Sequence, residues 1–268
     1  DRLELFAAPP QDPKAALFRR WAFESAALDL ALHQAGGSLA DTLQRKPRPV
    51  RFVVSMGLGD PPDPAPLHAL FGRFPGLELK LDPTPAWSAG LMDELASTGA
   101  VRVVDLKGQY KKGPFKGTEA GPEFYRRVAE RFADAWIEDP DLDGEPGRVL
   151  EPHMNRVTWD APICSLSDIL TLPREPKAIN LKPSRFGRVA EVLRVYAYTE
   201  ARGITAYGGG QFELGPGRGQ IQALASLFHP DAPNDVAPAG FNAPGPRPGL
   251  PASPLPPSLD ETGFRWLS

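Results

Sequence analysis

Hydrophobic residues occur in short runs along the chain, and most runs precede a longer segment in which hydrophobic positions recur with helical spacing. Seven runs rich in β-branched residues predict strands at 50–55, 77–81, 101–106, 135–138, 157–159, 178–181 and 204–207. A weaker eighth run surrounds Val236. Helical spacing predicts helices at 17–35, 88–97, 121–132, 165–170, 188–201 and 217–227. Apolar strands that alternate with helices indicate a parallel sheet, either a closed (β/α)₈-like barrel or an open doubly wound sheet.

Ionisable residues end five consecutive predicted strands, where a buried strand would otherwise stay apolar. They are Lys80, Asp105, Glu138, Asp160 and Lys182. In a parallel barrel, the carboxyl ends of all strands open on one mouth, where catalytic residues collect. Three carboxylates converging there repel one another unless a cation lies between them. An all-oxygen ligand set suits Mg²⁺, with Mn²⁺ as an alternative ion.

The two lysines flank this carboxylate set along the chain, and could face each other across a metal ion. A lysine whose pKa is lowered by burial and a nearby cation can abstract a proton from a carbon acid beside a carboxylate. A single charged residue at a strand end more often caps a loop, so the hypothesis depends on the ordered set. Asp82, Lys107 and Asp139 lie one or two residues from the set, and an error in register would exchange their roles.

Several segments resemble motifs of the enolase superfamily, in particular its muconate-lactonizing-enzyme-like and mandelate-racemase-like members. Residues 136–140 resemble the strand-four motif, residues 178–185 the strand-six motif, and residues 207–215 the strand-seven signature. Residues 23–31 are similar to the helix that precedes the barrel in this superfamily. The resemblance covers roughly residues 17–257.

This resemblance implies a TIM-type (β/α)₇β barrel with a magnesium site and two acid/base lysines. It assigns Asp105, Glu138 and Asp160 to Mg²⁺, and Lys80 and Lys182 to opposite faces of a small-molecule carboxylate substrate. The implied reactions are racemisation or epimerisation, syn-elimination of the o-succinylbenzoate-synthase kind, and cycloisomerisation. The residues predicted to contact substrate are Glu213, Gly209, Lys107 and Arg218.

The chain departs from the motifs at three positions. Glu78 replaces the first of the two lysines on strand two, and Lys107 stands where relatives often carry an amide beside the metal. Ala161 replaces the second carboxylate on strand five. Because only about 16 residues precede the first predicted helix, we expect the N-terminal α+β capping domain to be largely absent. The predicted division is a remnant of the capping region (1–16), a catalytic barrel (17–242) and a proline-rich C-terminal wrap (243–268).

Composition narrows the class of protein. Of 268 residues, 32 are proline and 26 are glycine, which indicates a loop-rich but folded chain. One cysteine excludes an internal disulfide and favours a cytoplasmic protein. A net charge of −3 without a basic block argues against a nucleic-acid partner, and no apolar stretch is long enough to predict a membrane span. The sequence leaves open whether the chain forms a homo-oligomer.

Two other functions are compatible with the same residues. A catalytically weak or non-catalytic barrel that binds a small acid or a protein partner is consistent with the altered motifs and the missing cap. A Schiff-base lyase or aldolase that uses Lys182 or Lys107 is a weaker alternative, because it gives the carboxylates no role.

Overall fold

The computed structural model describes residues 8, 10, 12–111, 117, 119–242, 248–259 and 261–266. Seven parallel strands follow one another in chain order across a single sheet, as expected for a TIM-type α/β fold. They are β1 (Val53–Met56), β2 (Glu78–Leu81), β3 (Val101–Asp105), β4 (Trp136–Glu138), β5 (Val157–Trp159), β6 (Ala178–Leu181) and β7 (Thr205–Gly208). The seven clear predicted strands all form: β5 and β6 have the predicted bounds, and the ends of the others differ by at most three residues.

Ten α-helices occur in the described parts of the chain, and most connect successive strands. They are α1 (Pro13–Ala35), α2 (Leu39–Thr42), α3 (Ala65–Arg73), α4 (Ala89–Ser97), α5 (Pro122–Arg131), α6 (Gly144–Leu150), α7 (Leu166–Leu170), α8 (Pro183–Phe186), α9 (Val189–Arg202) and α10 (Pro216–Phe228). Short 3₁₀ helices follow at Glu151–Arg156 and Ala239–Asn242. Among the described residues, no helix combines the length and hydrophobicity needed to cross a lipid bilayer.

The weak eighth run forms no strand, but its neighbours join the two edge strands. Phe52 and Asn234 make a single parallel bridge. The Val53 N–H donates to the Asn234 carbonyl at 2.8 Å, and the Asp235 N–H donates to the Gly208 carbonyl at 2.8 Å. Hydrogen bonds from adjacent residues therefore link β1 to β7, where a regular barrel would have its eighth strand.

A buried polar network fixes this junction. The Asn234 Oδ1 atom accepts from the Gly208 N–H at 2.6 Å and lies 2.7 Å from His229 Nδ1. Because Oδ1 only accepts, His229 carries its proton on Nδ1, and its Nε2 accepts from the Tyr196 hydroxyl at 3.0 Å. The Asn234 amide donates to the Arg51 carbonyl at 2.9 Å. One asparagine therefore connects β1 to β7 with directed hydrogen bonds.

The two ends of the described chain pack against the barrel. Trp21 of α1 meets Phe264 in an edge-to-face contact with ring centroids 6.4 Å apart. Leu255 is buried and pairs with Val50 in an antiparallel bridge. Part of the predicted wrap, residues 243–247, lies outside the described residues, and the predicted domain boundaries and reduced cap stay predictions.

Candidate active site

Alternation along the strands directs polar side chains into the barrel. In β2 to β7, apolar residues such as Leu79, Ile137 and Ile179 join the core between sheet and helices. Residues of the opposite parity meet inside the sheet, where Asp105 and Glu138 occupy paired positions of β3 and β4. The charged residues at the ends of β2 to β6 therefore face the same interior space.

Lys80 lies between two of the predicted metal ligands. Its ammonium donates to Glu138 Oε1 and lies 3.2 Å from Asp105 Oδ2. All three side chains are at least 98% buried. Because each buried charge has an oppositely charged partner, the cluster avoids the large cost of an isolated buried ion. The structure thus brings Lys80, Asp105 and Glu138 together.

Asp160 follows β5 and is surrounded by donors. Lys182 Nζ lies 2.8 Å from Asp160 Oδ2, and Arg185 Nη1 lies 3.0 Å from Oδ1. The Tyr110 hydroxyl donates to Oδ2 at 2.9 Å and accepts from Arg185 Nη2 at 2.8 Å. Burial alone would raise the pKa of the Asp160 carboxyl, but Lys182 and Arg185 outweigh burial and hold this pKa well below its usual range.

The pKa values of the other two carboxyls, Glu138 and Asp105, are shifted in opposite directions. Burial raises the pKa of Glu138 to about 7, against the attraction of Lys80. Burial also acts to raise the pKa of Asp105, but the ammonium groups of Lys80 and Lys107 outweigh it and lower this pKa to about 2. Burial alone would lower the pKa of Lys80, yet Glu138 and Asp105 hold this pKa well above its ordinary value. Lys80 is therefore an ammonium ion in this arrangement.

Asp139, next to Glu138, has a structural position. Its backbone is in the left-handed region, with φ of 49°. Its Oδ1 accepts from the Asp160 N–H and its Oδ2 from the Ala161 N–H, each at 2.8 Å. The carboxylate of Asp139 thus holds the backbone at the end of β5 and orients Asp160, whereas Glu138 meets Lys80.

The glycine at position 209 allows close contact between β7 and β6. A Cβ atom on Gly209 would lie 2.6 Å from Asn180 Oδ1 and 2.8 Å from Lys182 Cε. Asn180 also donates to Glu138 Oε2 at 3.3 Å, and the Tyr207 hydroxyl donates to the same oxygen at 2.5 Å. Gly209 therefore sets the space available to Lys182.

The two remaining predicted substrate contacts lie at the rim of this space. Glu213 accepts from the Ser184 hydroxyl at 2.9 Å and from the Gln211 N–H at 2.5 Å, so its carboxylate joins its own loop to α8. Arg218 Nε donates to the Ala237 carbonyl at 2.9 Å. Both residues line the mouth, and each already has a protein partner.

A cavity of about 570 Å³ opens above the buried carboxylates. Five cationic residues line it: Lys80, Lys107, Lys182, Arg185 and Arg218. Three acidic residues also line it: Asp82, Glu213 and Asp235. Lys80, Lys107, Lys182 and Arg185 are paired with carboxylates beneath the cavity, so its lining carries no net excess of positive charge.

The donor set is suited to a hard divalent cation. Three carboxylates converge, and the Lys80 ammonium reaches two of them, so one cation can contact both Asp105 and Glu138. Asn180 Oδ1 is buried beside them and has no hydrogen-bond partner among the described residues. Over the same residues, no three acidic, histidine or cysteine side chains are already arranged as a metal site. Metal binding would therefore require lysine ammonium groups to move away.

Sequence reasoning missed three residues of this site. Tyr110 lies in the loop after β3, five residues beyond Asp105, where no spacing rule points to it. Arg185 belongs to the strand-six motif, and the motif alone does not show that it contacts Asp160. Tyr207 is on β7, two residues before Gly209, and side chains two residues apart on a strand face the same side. Strand alternation therefore identifies Tyr207 as inward-facing.

Solved structures with similar folds include enolase-superfamily members. A dipeptide epimerase from Enterococcus faecalis V583 superposes with a TM-score of 0.66 at 19% identity, covering 92% of this chain and 74% of that one. An enolase-superfamily member of unknown function from the same organism gives a TM-score of 0.64 at 22% identity, covering 87% and 66%. A dipeptide epimerase from Methylococcus capsulatus, complexed with Mg ion, gives 0.58 at 19% identity, covering 82% and 68%.

Curated relatives match shorter segments. The o-succinylbenzoate synthase of Bacillus subtilis (strain 168) is 33% identical over 93 residues, covering 34% of this chain and 25% of the relative. An N-succinylamino acid racemase of an Amycolatopsis species is 35% identical over 107 residues, covering 33% and 29%. The matched segment thus spans only about a quarter of the length of these relatives.

The resemblance to the enolase superfamily is thereby confirmed, and its named members here are isomerases or lyases. Two family models match the chain itself. The domain of unknown function DUF8230 matches with its N-terminal domain at residues 1–42 and its C-terminal domain at residues 46–243. The chain therefore belongs to the DUF8230 family.

Proposed function

We propose that this chain is a Mg²⁺-dependent enzyme that abstracts the proton beside the carboxylate of a small-molecule substrate. One observation carries the proposal: Lys80 and Lys182 are buried on either side of a carboxylate set, near the ends of β2 and β6. The three strands between them, β3 to β5, lead to Asp105, Glu138 and Asp160. A substrate in the cavity above would have one lysine toward each face.

The ion pairs suggest what each part contributes. Lys80, held as an ammonium by Glu138 and Asp105, is a proton donor until those carboxylates are neutralised. A divalent cation held by Asp105, Glu138 and Asp160 would stabilise negative charge that develops on the substrate carboxylate. Arg185 and Tyr110 hold Asp160 in place by hydrogen bonds to its carboxylate.

Racemisation or epimerisation is the reaction that a lysine on each face supports best. One lysine removes the proton, and the other returns a proton to the opposite face. Syn-elimination and cycloisomerisation need the same first step and are distinguished by their products. Because the named relatives include N-succinylamino acid racemase and dipeptide epimerases, acylated amino acids and dipeptides are the first substrates to test.

The test is Mg²⁺-dependent exchange of the substrate α-proton with deuterated water, followed by NMR. The panel contains both stereoisomers of N-succinylamino acids and of dipeptides. We expect exchange in the natural chain and its loss from one stereoisomer in Lys182→Arg, because arginine keeps the charge but does not deprotonate. Lys177→Arg, at the exposed opposite end of β6, is the matched control and should exchange normally. Absence of exchange across the panel would contradict the proposal.

A non-catalytic barrel that binds a small acid or a protein partner is the second candidate. It is favoured by one observation, that every predicted metal ligand already has a lysine or arginine partner. Calorimetry with the same panel separates the two functions. Anion binding without Mg²⁺, combined with no proton exchange, would favour the second.

A further inference from the structure

Lys107 contacts the predicted metal ligand Asp105 with both its main chain and its side chain. Its N–H donates to Asp105 Oδ1 at 3.0 Å, and its ammonium donates to Oδ2. This double contact depends on a backbone φ of 53° at Lys107, which turns the chain back toward β3. Both oxygens of Asp105 are thus engaged by the residue two positions later.

The ammonium of Lys107 also lies 3.3 Å from Asp82 Oδ1. It therefore stands between two acidic side chains in the wall of the cavity, and it shares the Asp105 Oδ2 atom with the Lys80 ammonium. The side chain of Lys107 is 28% exposed, whereas that of Lys80 is 2% exposed. Of the two lysines at Asp105, Lys107 is thus the one with room to move into solvent.

Backbone conformation does not explain a lysine at this position. Asparagine is enriched several-fold at positive φ, and lysine has no such preference. The feature that lysine adds here is a positive charge on the oxygens that a metal would use. Any divalent cation that binds Asp105 must displace this ammonium or bind close to it. If the ammonium stayed in contact with Asp105, the cation and the ammonium would repel each other strongly.

We propose that Lys107 is an internal cation that competes with the divalent metal for Asp105. It lowers the affinity of the site for Mg²⁺ and keeps the carboxylates neutralised when Mg²⁺ is scarce. The inference rests on the proposed function, because it takes Asp105 as a metal ligand. Lys107 acts through Asp105 and is a positioning residue in this assignment.

The experiment is calorimetric titration of chelator-treated protein with MgCl₂. We expect Lys107→Asn and Lys107→Gln to bind Mg²⁺ at least tenfold more tightly than the natural chain. Lys107→Arg, which keeps the charge, should stay within about threefold of the natural chain. Lys111→Gln is the matched control, since Lys111 pairs with Asp141 in the same loop and should leave the affinity unchanged. The gain should vanish when Lys107→Asn is combined with Asp105→Asn.

Two results would overturn the inference: no tighter binding in the Asn and Gln variants, or equal tightening in Lys111→Gln. Unfolding curves measured with chelator check that each variant folds. If the Gln variant does not fold, the Asn variant still tests the inference, because Asn tolerates the positive φ at position 107. Proton exchange separates this inference from the proposed function. Tighter Mg²⁺ binding without any exchange would leave the assignment of Lys107 intact and contradict the enzymatic proposal alone.

Discussion

Adding one methyl group at position 209 should disturb Lys182 more than it disturbs the fold. In Gly209→Ala, the new Cβ would lie 2.6 Å from Asn180 Oδ1 and 2.8 Å from Lys182 Cε. Ordinary contacts at these atoms are about 3.5 to 4 Å, so the Lys182 side chain must shift by roughly 1 Å. Because Gly209 follows β7 and its N–H donates to the Leu181 carbonyl at 3.2 Å, the backbone cannot easily yield instead.

The two expected consequences differ in size. A misplacement of about 1 Å in a group that transfers a proton reduces the rate by about 100-fold. Overpacking of this kind lowers the free energy of unfolding by about 1 to 3 kcal/mol. The substitution should therefore leave a folded protein with greatly reduced proton exchange.

Rates of α-proton exchange and urea unfolding curves provide the measurements. Gly217→Ala, in the first turn of α10, is the control, because its Cβ would lie 3.4 Å from Glu213 Cβ, an ordinary contact. It should exchange at the natural rate. If Gly209→Ala exchanged within about threefold of the natural chain, Lys182 would not be confined as the structure indicates, or would not transfer the proton.

Three further predictions concern buried polar groups. Asp139→Asn leaves one of the N–H groups of Asp160 and Ala161 without an acceptor, and it should lower the free energy of unfolding by about 1 to 3 kcal/mol. The control Asp143→Asn, at an exposed position, should change this free energy by less than about 0.5 kcal/mol. Burial lowers the pKa of His229 to about 4, so the unfolded chain binds more protons between that value and about 6.5. The free energy of unfolding should thus fall by about 3 kcal/mol as the pH drops from about 7 to about 4. In urea titrations, His229→Gln should remove that part of the pH dependence, whereas His68→Gln, at an exposed histidine, should not. Tyr207→Phe removes the hydroxyl that donates to Glu138 and should cost about 1 to 3 kcal/mol in the same assay, a penalty that would be absent if this hydrogen bond were not formed.

The strands were predictable because burial on both faces of a parallel sheet leaves an almost continuous apolar run. The charged residues at the ends of these runs were equally visible, because they recur at the ends of five consecutive strands. Four helices escaped prediction: α2 and α8 because they are only four residues long, and α3 and α6 because their sequences contain helix-breaking residues. Pro64 and Pro66 lie at the start of α3, where proline is tolerated, and α6 contains Gly147, whose Cβ would collide with the Leu142 carbonyl.

The pairing of charges inside the barrel could not be predicted in the same way. Burial requires that each charge have a partner, but the identity of the partner depends on how far each side chain reaches and on local backbone turns. Tyr110 reaches Asp160 from a loop after β3, and Lys107 returns to Asp105 through a single residue at positive φ. Neither turn has a signature in the pattern of hydrophobic residues. The sequence therefore identifies which charges meet at the mouth, whereas the backbone decides which of them neutralise each other and which are left for a ligand.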